Sequence, residues 1–201
     1  MPLLLCSAYL PPVSFFMAMK GHGQVLVEQF DSYHKQTYRN RCVIATSNGP
    51  QSLTIPVVHG NTPRQLMRDI RISSHGNWRH LHWNAFSSAY MNSPFFMYYE
   101  DDIRPVFEGN HSFLVDFNAE LLDIVLKLVG INAEVTFTDS YVTEGSVPHY
   151  DDFRHLVDPG VTGDMEFKPY YQVFSERTGF IPNLSIADML FNLGPETPLY
   201  L

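Results

Sequence analysis

Leu3-Leu4-Leu5-Cys6-Ser7-Ala8-Tyr9-Leu10-Pro11-Pro12 is the stretch whose reading decides the fold. Leu3 to Ala8 is a short, nearly continuous apolar run, the pattern of a strand buried on both faces. Pro11-Pro12 ends it, and Pro12 suits the first position of a helix, where its missing N–H costs nothing. Val13, Phe16, Met17 and Lys20 then fall at helical spacing. Gly21-His22-Gly23 supplies the backbone freedom that closes a helix. Gln24 to Glu28 reads as a second strand. Strand, short helix, strand predicts a parallel crossover unit. The turn at Tyr9 to Pro12 then lies where the first strand hands over to its helix, and such turns line ligand crevices in open α/β sheets.

Composition agrees with a packed domain. The chain has 201 residues, 45% of them hydrophobic and 14% aromatic, which predicts one domain over 1–201 with a sizeable core. Charged residues at 17% are too few for global disorder. Thirteen basic against twenty-one acidic residues give a net charge of −8, which argues against a nucleic-acid partner. Cys6 and Cys42 both sit in apolar β-like runs and read as buried, reduced thiols. Met1 to Cys6 lacks a basic leader and a long enough apolar segment, so it reads as a core strand rather than a signal. No run approaches the roughly 18 apolar residues of a membrane span, which predicts a cytoplasmic protein without membrane insertion.

Downstream, Cys42 to Thr46 and Leu53 to Val57 flank Asn48-Gly49, a pair that tolerates positive φ and signals a hairpin. Pro56 cannot donate a ladder hydrogen bond, so that strand lies at an edge or stops there. His59 to Pro63 reads as a polar loop, and Asp69 to Ile72 alternates like a short strand. Trp78 to Met91 is helical, with Trp78, Leu81, His82, Ala85 and Ala89 on one face and Asn77 as cap. Ser93-Pro94 breaks it, and Phe95 to Val106 forms a shorter helix. Ser112 to Val129 carries one apolar stripe from Phe113 to Leu128 and stops at Gly130. Glu134 to Phe137 alternates like a late strand. Residues 143–168, interrupted by Pro148, Asp151, Asp152, Asp158, Pro159, Gly160, Gly163 and Asp164, read as a long surface loop with one helical turn. Tyr170 to Phe174 and a terminal helix over Leu184 to Phe191 return to core character. The sum is an α/β fold: a mixed sheet with a β-α-β start, a β-hairpin and a helical C-terminal half.

Chemistry concentrates in Lys35-Gln36-Thr37-Tyr38-Arg39-Asn40-Arg41. Three cations this close repel one another unless an anion, carboxylates or carbonyls answer them. In this acidic chain they suggest an anionic small-molecule ligand, with Lys35, Arg39 and Arg41 neutralising it and Tyr38 and Asn40 orienting it. The bland reading is a solvated loop paired with Asp31 and Glu28. Tyr9 would line the facing wall. His80 and His82 lie two apart and so point to different sides of a helix, which argues against a paired metal site. His82 reads as a hydrogen-bonded core residue, and His80 as the candidate for proton transfer. Glu100-Asp101-Asp102 and Asp151-Asp152 read as solvated charge, Gly21-His22-Gly23 is too short for a phosphate loop, and no serine sits in a nucleophile elbow.

The ordered set Tyr9-Leu10-Pro11, Lys35 with Tyr38-Arg39-Asn40-Arg41, Leu53 to Val57, Trp78 with His82-Trp83, and Tyr90 with Pro94-Phe95-Phe96 resembles the WbqC-like family. Gly179 to Asn192 resembles that family's C-terminal signature. The resemblance implies a bacterial protein of surface-polysaccharide (O-antigen-like) precursor assembly, acting by group transfer onto a nucleotide-linked or phosphorylated sugar. The chain departs from it at Leu5-Cys6-Ser7-Ala8, where many members carry His-Gln-Pro before the Tyr-Leu-Pro turn. A non-catalytic binding or scaffold protein of the same pathway is the alternative that this departure motivates. A metal-dependent hydrolase using scattered His and Asp is a third.

Overall fold

The computed structural model describes residues 1–58, 60, 64–143, 150–162 and 165–201. Its centre is a parallel sheet of four strands: β1 (Leu3–Cys6), β2 (Gln24–Glu28), β7 (Glu134–Phe137) and β8 (Asp151–Asp152), in the order β7-β2-β1-β8. Between β2 and β7 the chain forms β3 (Arg41–Thr46), β4 (Gly49–Thr54), β5 (Val57–Val58) and β6 (Arg71–Ile72). All of β1 is buried, as its unbroken apolar run requires. β1 lies parallel to β2, with Leu3 opposite Val25 and Cys6 opposite Glu28. The crossover between them is α1 (Val13–Met19), whose N-cap is Pro12. The β-α-β start is therefore present, with Pro12 one position outside the helix.

The turn after β1 is fastened from the far end of the chain. Leu10 is buried and takes a φ of 37°, a costly conformation for a leucine. The Ser185 hydroxyl donates to the Leu10 carbonyl at 2.8 Å, and Ile186 N–H donates to the Pro11 carbonyl at 2.9 Å. Ser185 is also the N-cap of α6 (Ile186–Leu193), the expected terminal helix.

The hairpin of β3 and β4 has Thr46 opposite Gly49, so Ser47 and Asn48 form the turn. Gly49 takes the positive φ, 98°, and Asn48 does not. β4 stops before Pro56, and β5 pairs antiparallel with β6. Of the strand expected over Asp69 to Ile72, only Arg71–Ile72 pairs; Asp69 ends a 3-10 turn, Met67–Asp69, and Ile70 caps it. Three long helices follow: α2 (Trp78–Tyr90), α3 (Phe96–Glu108) and α4 (Leu114–Val129). Leu81, expected on the buried face of α2, is exposed, and Phe86 takes its place in the core. α4 ends in a Schellman motif: Gly130 N–H donates to Lys127 and Ile131 N–H to Leu126. It lies along β2 and β7 with a cavity of about 370 Å³ between them, bordered by Val27, Val135, Asn118 and Leu122.

The expected loop over 143–168 is corrected in its described part. Asp151–Asp152 adds to the sheet beside β1, and a 3-10 turn at Arg154–Val157 buries Arg154, Leu156 and Val157. Two acidic residues pair here through backbone alone, so no apolar alternation marks the strand. Residues 144–149 and 163–164 of that stretch, and 59 and 61–63 of the polar loop, lie outside the described residues. The short helices α5 (Ser175–Thr178) and α7 (Thr197–Tyr200) complete the chain. Tyr170 to Phe174 returns to the core without forming a strand. Tyr170 O–H and Gln172 Nε2 donate to the buried carboxylate of Asp188, as does Tyr90 O–H from α2. Among the described residues no helix is long and apolar enough to cross a membrane.

Candidate functional site

Four parallel strands end on the same side of the sheet, and the residues at or just beyond those ends border one cleft of about 850 Å³. β1 delivers Cys6, β2 is succeeded by Phe30 and Asp31, β7 by Tyr141, and β8 by Arg154 and His155. The chain runs from β1 to β2 to β7 in one direction and then returns to place β8 on the other side of β1. Cys6 and Arg154 thus flank the point where the strand order reverses, the usual place for a ligand in an open α/β sheet.

Two further segments close the cleft. The basic segment is threaded between β1 and the 3-10 turn, with Tyr9 N–H donating to the Tyr38 carbonyl and Tyr38 N–H to the Val157 carbonyl, both at 2.8 Å. Residues 65–68 pair with 29–33, since Tyr33 N–H donates to the Gln65 carbonyl and Met67 N–H to that of Asp31. This sets Arg64 and Leu66 on the rim.

The floor is buried and internally paired. Arg39, 5% exposed, donates through Nε and Nη2 to Asp31 Oδ2, and through Nη1 to Thr37 Oγ1 at 3.4 Å. The Cys6 thiol donates to the same Asp31 oxygen at 3.3 Å. Burial pushes the Cys6 thiol well above its ordinary pKa; the Arg39 guanidinium opposes that shift and the Asp31 carboxylate adds to it. Cys6 is therefore a protonated donor here, not a thiolate. Arg154 donates to both oxygens of Asp152 and to the Val142 carbonyl, and Nη1 stands 3.8 Å from buried Glu28. The rim is different. His34, Lys35, Arg64 and His155 are exposed. Neither Lys35 nor Arg64 pairs with a carboxylate among the described residues. Asp158 is the acidic residue on that rim among the described residues.

The residues picked out in the sequence divide accordingly. Lys35 and Arg39 border the cleft; Tyr9, Tyr38, Asn40, Arg41 and His80 do not. Arg41 opens β3 and donates to Thr54 Oγ1 across the hairpin at 3.2 Å, so it leaves the cleft with the strand. Asn40 Nδ2 is spent on the Ile55 carbonyl at 2.8 Å. Tyr9 is fully buried, its hydroxyl 2.9 Å from His82 Nδ1. Burial lowers the His82 pKa to about 4, against the pull of a hydrogen bond to the Thr54 backbone, so the ring is the neutral core residue its position on α2 suggests. His80 lies exposed on the outside of α2 with its Nε2 2.9 Å from Asn84 Nδ2. Among the described residues the histidines at the cleft are His34 and His155. Sequence reasoning named Asp31 only as an ion-pair partner of the basic segment, the part it plays for Arg39, and passed over Arg64, Arg154 and His155; the signal for Arg154 and His155 was position just beyond a strand end, legible only once β8 is known. Among the described residues no three His, Cys, Asp or Glu side chains are grouped to hold a metal ion.

Comparison with known proteins places residues 7–156 within the pattern of the WbqC-like protein family. An uncharacterized protein of Mycobacterium tuberculosis, Rv1507c, is 26% identical over 222 aligned positions, covering 97% of this chain and 94% of the relative. No solved structure matches.

Proposed function

The chain belongs to the WbqC-like protein family, and from that premise we propose that its cleft binds an anionic sugar, phosphorylated or nucleotide-linked, in cytoplasmic assembly of bacterial surface-polysaccharide precursors. The carrying observation is the convergence of Lys35, Arg39, Arg64 and Arg154 on one cleft at the strand ends of a chain whose net charge is −8. Arg39 and Arg154, held by their carboxylates, set the shape and potential of the floor. Lys35 and Arg64, exposed and paired with no carboxylate among the described residues, are the cations left to meet phosphoryl oxygens. His34 and His155 stand on the same rim and, in place of the remote His80, take the acid–base role if the bound sugar receives a transferred group.

A second reading, binding without turnover, is favoured by one observation. The stretch that stands in place of His-Gln-Pro brings Cys6 to the cleft, and that thiol is buried and protonated rather than poised as a nucleophile. A thermal-shift screen with pyrophosphate and nucleotide sugars tests the shared claim. Wild-type protein gains several degrees, and the double variant Lys35→Ala/Arg64→Ala, folded by circular dichroism, loses most of the gain. An equal response in both proteins removes the cleft as the anion site. Product formation from a nucleotide sugar, or its absence despite binding, separates the two readings.

A further inference from the structure

The cleft's polar groups are unevenly used, and that unevenness selects a substrate class more narrowly than charge does. Resting on the anion-binding reading, we propose that the ligand is a phosphorylated sugar bound in one direction, with its phosphoryl group at Lys35 and Arg64 on the rim and a ring hydroxyl donating to Asp31 on the floor. Asp31 Oδ2 is crowded: Arg39 Nε, Arg39 Nη2 and the Cys6 thiol all donate to it. Asp31 Oδ1 is buried and receives no hydrogen bond among the described residues, although Asp31 is only 7% exposed and borders the cleft. Buried carboxylate oxygens are ordinarily satisfied, so this one marks a donor that the described residues do not supply.

The chemistry of that donor is set by the neighbours. An ionised phosphoryl oxygen, the form that cations favour, is an acceptor and cannot serve Oδ1. A second cation is not called for, because Arg39 already neutralises the carboxylate. A neutral O–H, as on a sugar ring, fits both conditions. The rim asks for the opposite: Lys35 and Arg64 are donors only and want acceptor oxygens. A ligand rich in acceptors at one end and in hydroxyl donors at the other meets both ends. Inorganic phosphate meets one, and so does an aryl phosphate.

Calorimetric titration of the full chain with inorganic phosphate, phenyl phosphate and the gluco, galacto and manno hexose 1-phosphates tests this. At least one hexose 1-phosphate binds wild type about tenfold more tightly than phenyl phosphate does, the scale of a lost hydroxyl contact. Lys35→Ala and Arg64→Ala weaken both ligands alike and leave that ratio intact. Asp31→Asn, folded by circular dichroism, brings the ratio close to one. Where Asp31→Asn fails to fold, monodeoxy analogues of the preferred hexose 1-phosphate on wild-type protein replace it: one deoxy position abolishes the preference. Equal affinity for every hexose 1-phosphate and phenyl phosphate, or a preference that survives each single deoxygenation, overturns the assignment to Asp31 and leaves the anion reading standing. No binding of any phosphate overturns both.

Discussion

Arg39 and Asp31 hold each other on the cleft floor with side chains 6% and 10% exposed. Removing one partner of such a pair strands the other charge away from water, which makes the pair costly to break whatever its net worth. Arg39→Ala is expected to lose about 3–5 kcal/mol of stability in urea denaturation. Lys35→Ala, whose ammonium stands in solvent, stays within about 0.5 kcal/mol of wild type. His82 makes a pH-dependent contribution of known sign. Its folded pKa of about 4 lies below its ordinary 6.5, so the unfolded chain binds the proton more readily across that window. Stability therefore falls as pH drops from about 6.5 towards about 4, by about 3 kcal/mol from this residue. His82→Gln removes that component, and the urea midpoint of the variant depends less steeply on pH over the same range. A parallel pH slope in both proteins sinks the assignment.

The helices and strands differ in how far their sequences announce them. β1, α1, β2 and α4 are legible because each carries one uninterrupted signal: an apolar run, a 3.6-residue stripe, a glycine stop. β8 is not, because Asp151 and Asp152 contribute backbone pairing to β1 and no apolar side chain. The cleft inherits that blindness. Its Lys35 and Arg39 lie in an obvious basic cluster, while Arg154 and His155 lie in a stretch that reads as loop. Arg41 misleads for the reverse reason: it is adjacent in sequence to the site but is the first residue of β3, and the strand carries it away. Two helix-ending glycines allow a test of local signals. Gly130 (φ +78°) would place an added Cβ in open space, whereas Gly194 (φ +54°) would place it 2.5 Å from the Phe95 ring. Gly130→Ala is expected to cost about 1–2 kcal/mol, the left-handed penalty alone. Gly194 has ψ −125°, outside the left-handed helical well, so Gly194→Ala combines a backbone strain of its own with an overpacking cost of roughly 1–3 kcal/mol. Thermal denaturation ranks them, and equal losses would mean that the Phe95 contact relaxes freely.

Across the whole molecule, the cleft and the sheet are one construction. Of its cations, Lys35 and Arg39 follow β2, Arg154 follows β8 and Arg64 lies between β5 and β6, and Arg154 ties β8, β2 and the segment after β7 together through Asp152, the nearby Glu28 and the Val142 carbonyl. Anything bound there bridges segments that unfolding must separate. A ligand that binds the folded chain alone stabilises it by mass action, about 2.7 kcal/mol at a concentration 100 times its Kd. The stabilisation is expected to appear where the sheet is shortest. Phe153 N–H donates to the Leu4 carbonyl at 2.9 Å and Asp151 N–H to the Pro2 carbonyl at 3.1 Å, so these two amides report the attachment of β8. Hydrogen exchange at Phe153 and Asp151 slows when a saturating phosphate ligand is added, while amides of the β3–β4 hairpin, remote from the cleft, slow only to the extent that global unfolding limits them. Arg154→Ala speeds exchange at both β8 amides without ligand and blunts the ligand's protection. Protection that spreads evenly over hairpin and β8, or that survives Arg154→Ala undiminished, would separate ligand binding from the strand-end cleft, because no bond through Arg154 would then be carrying it.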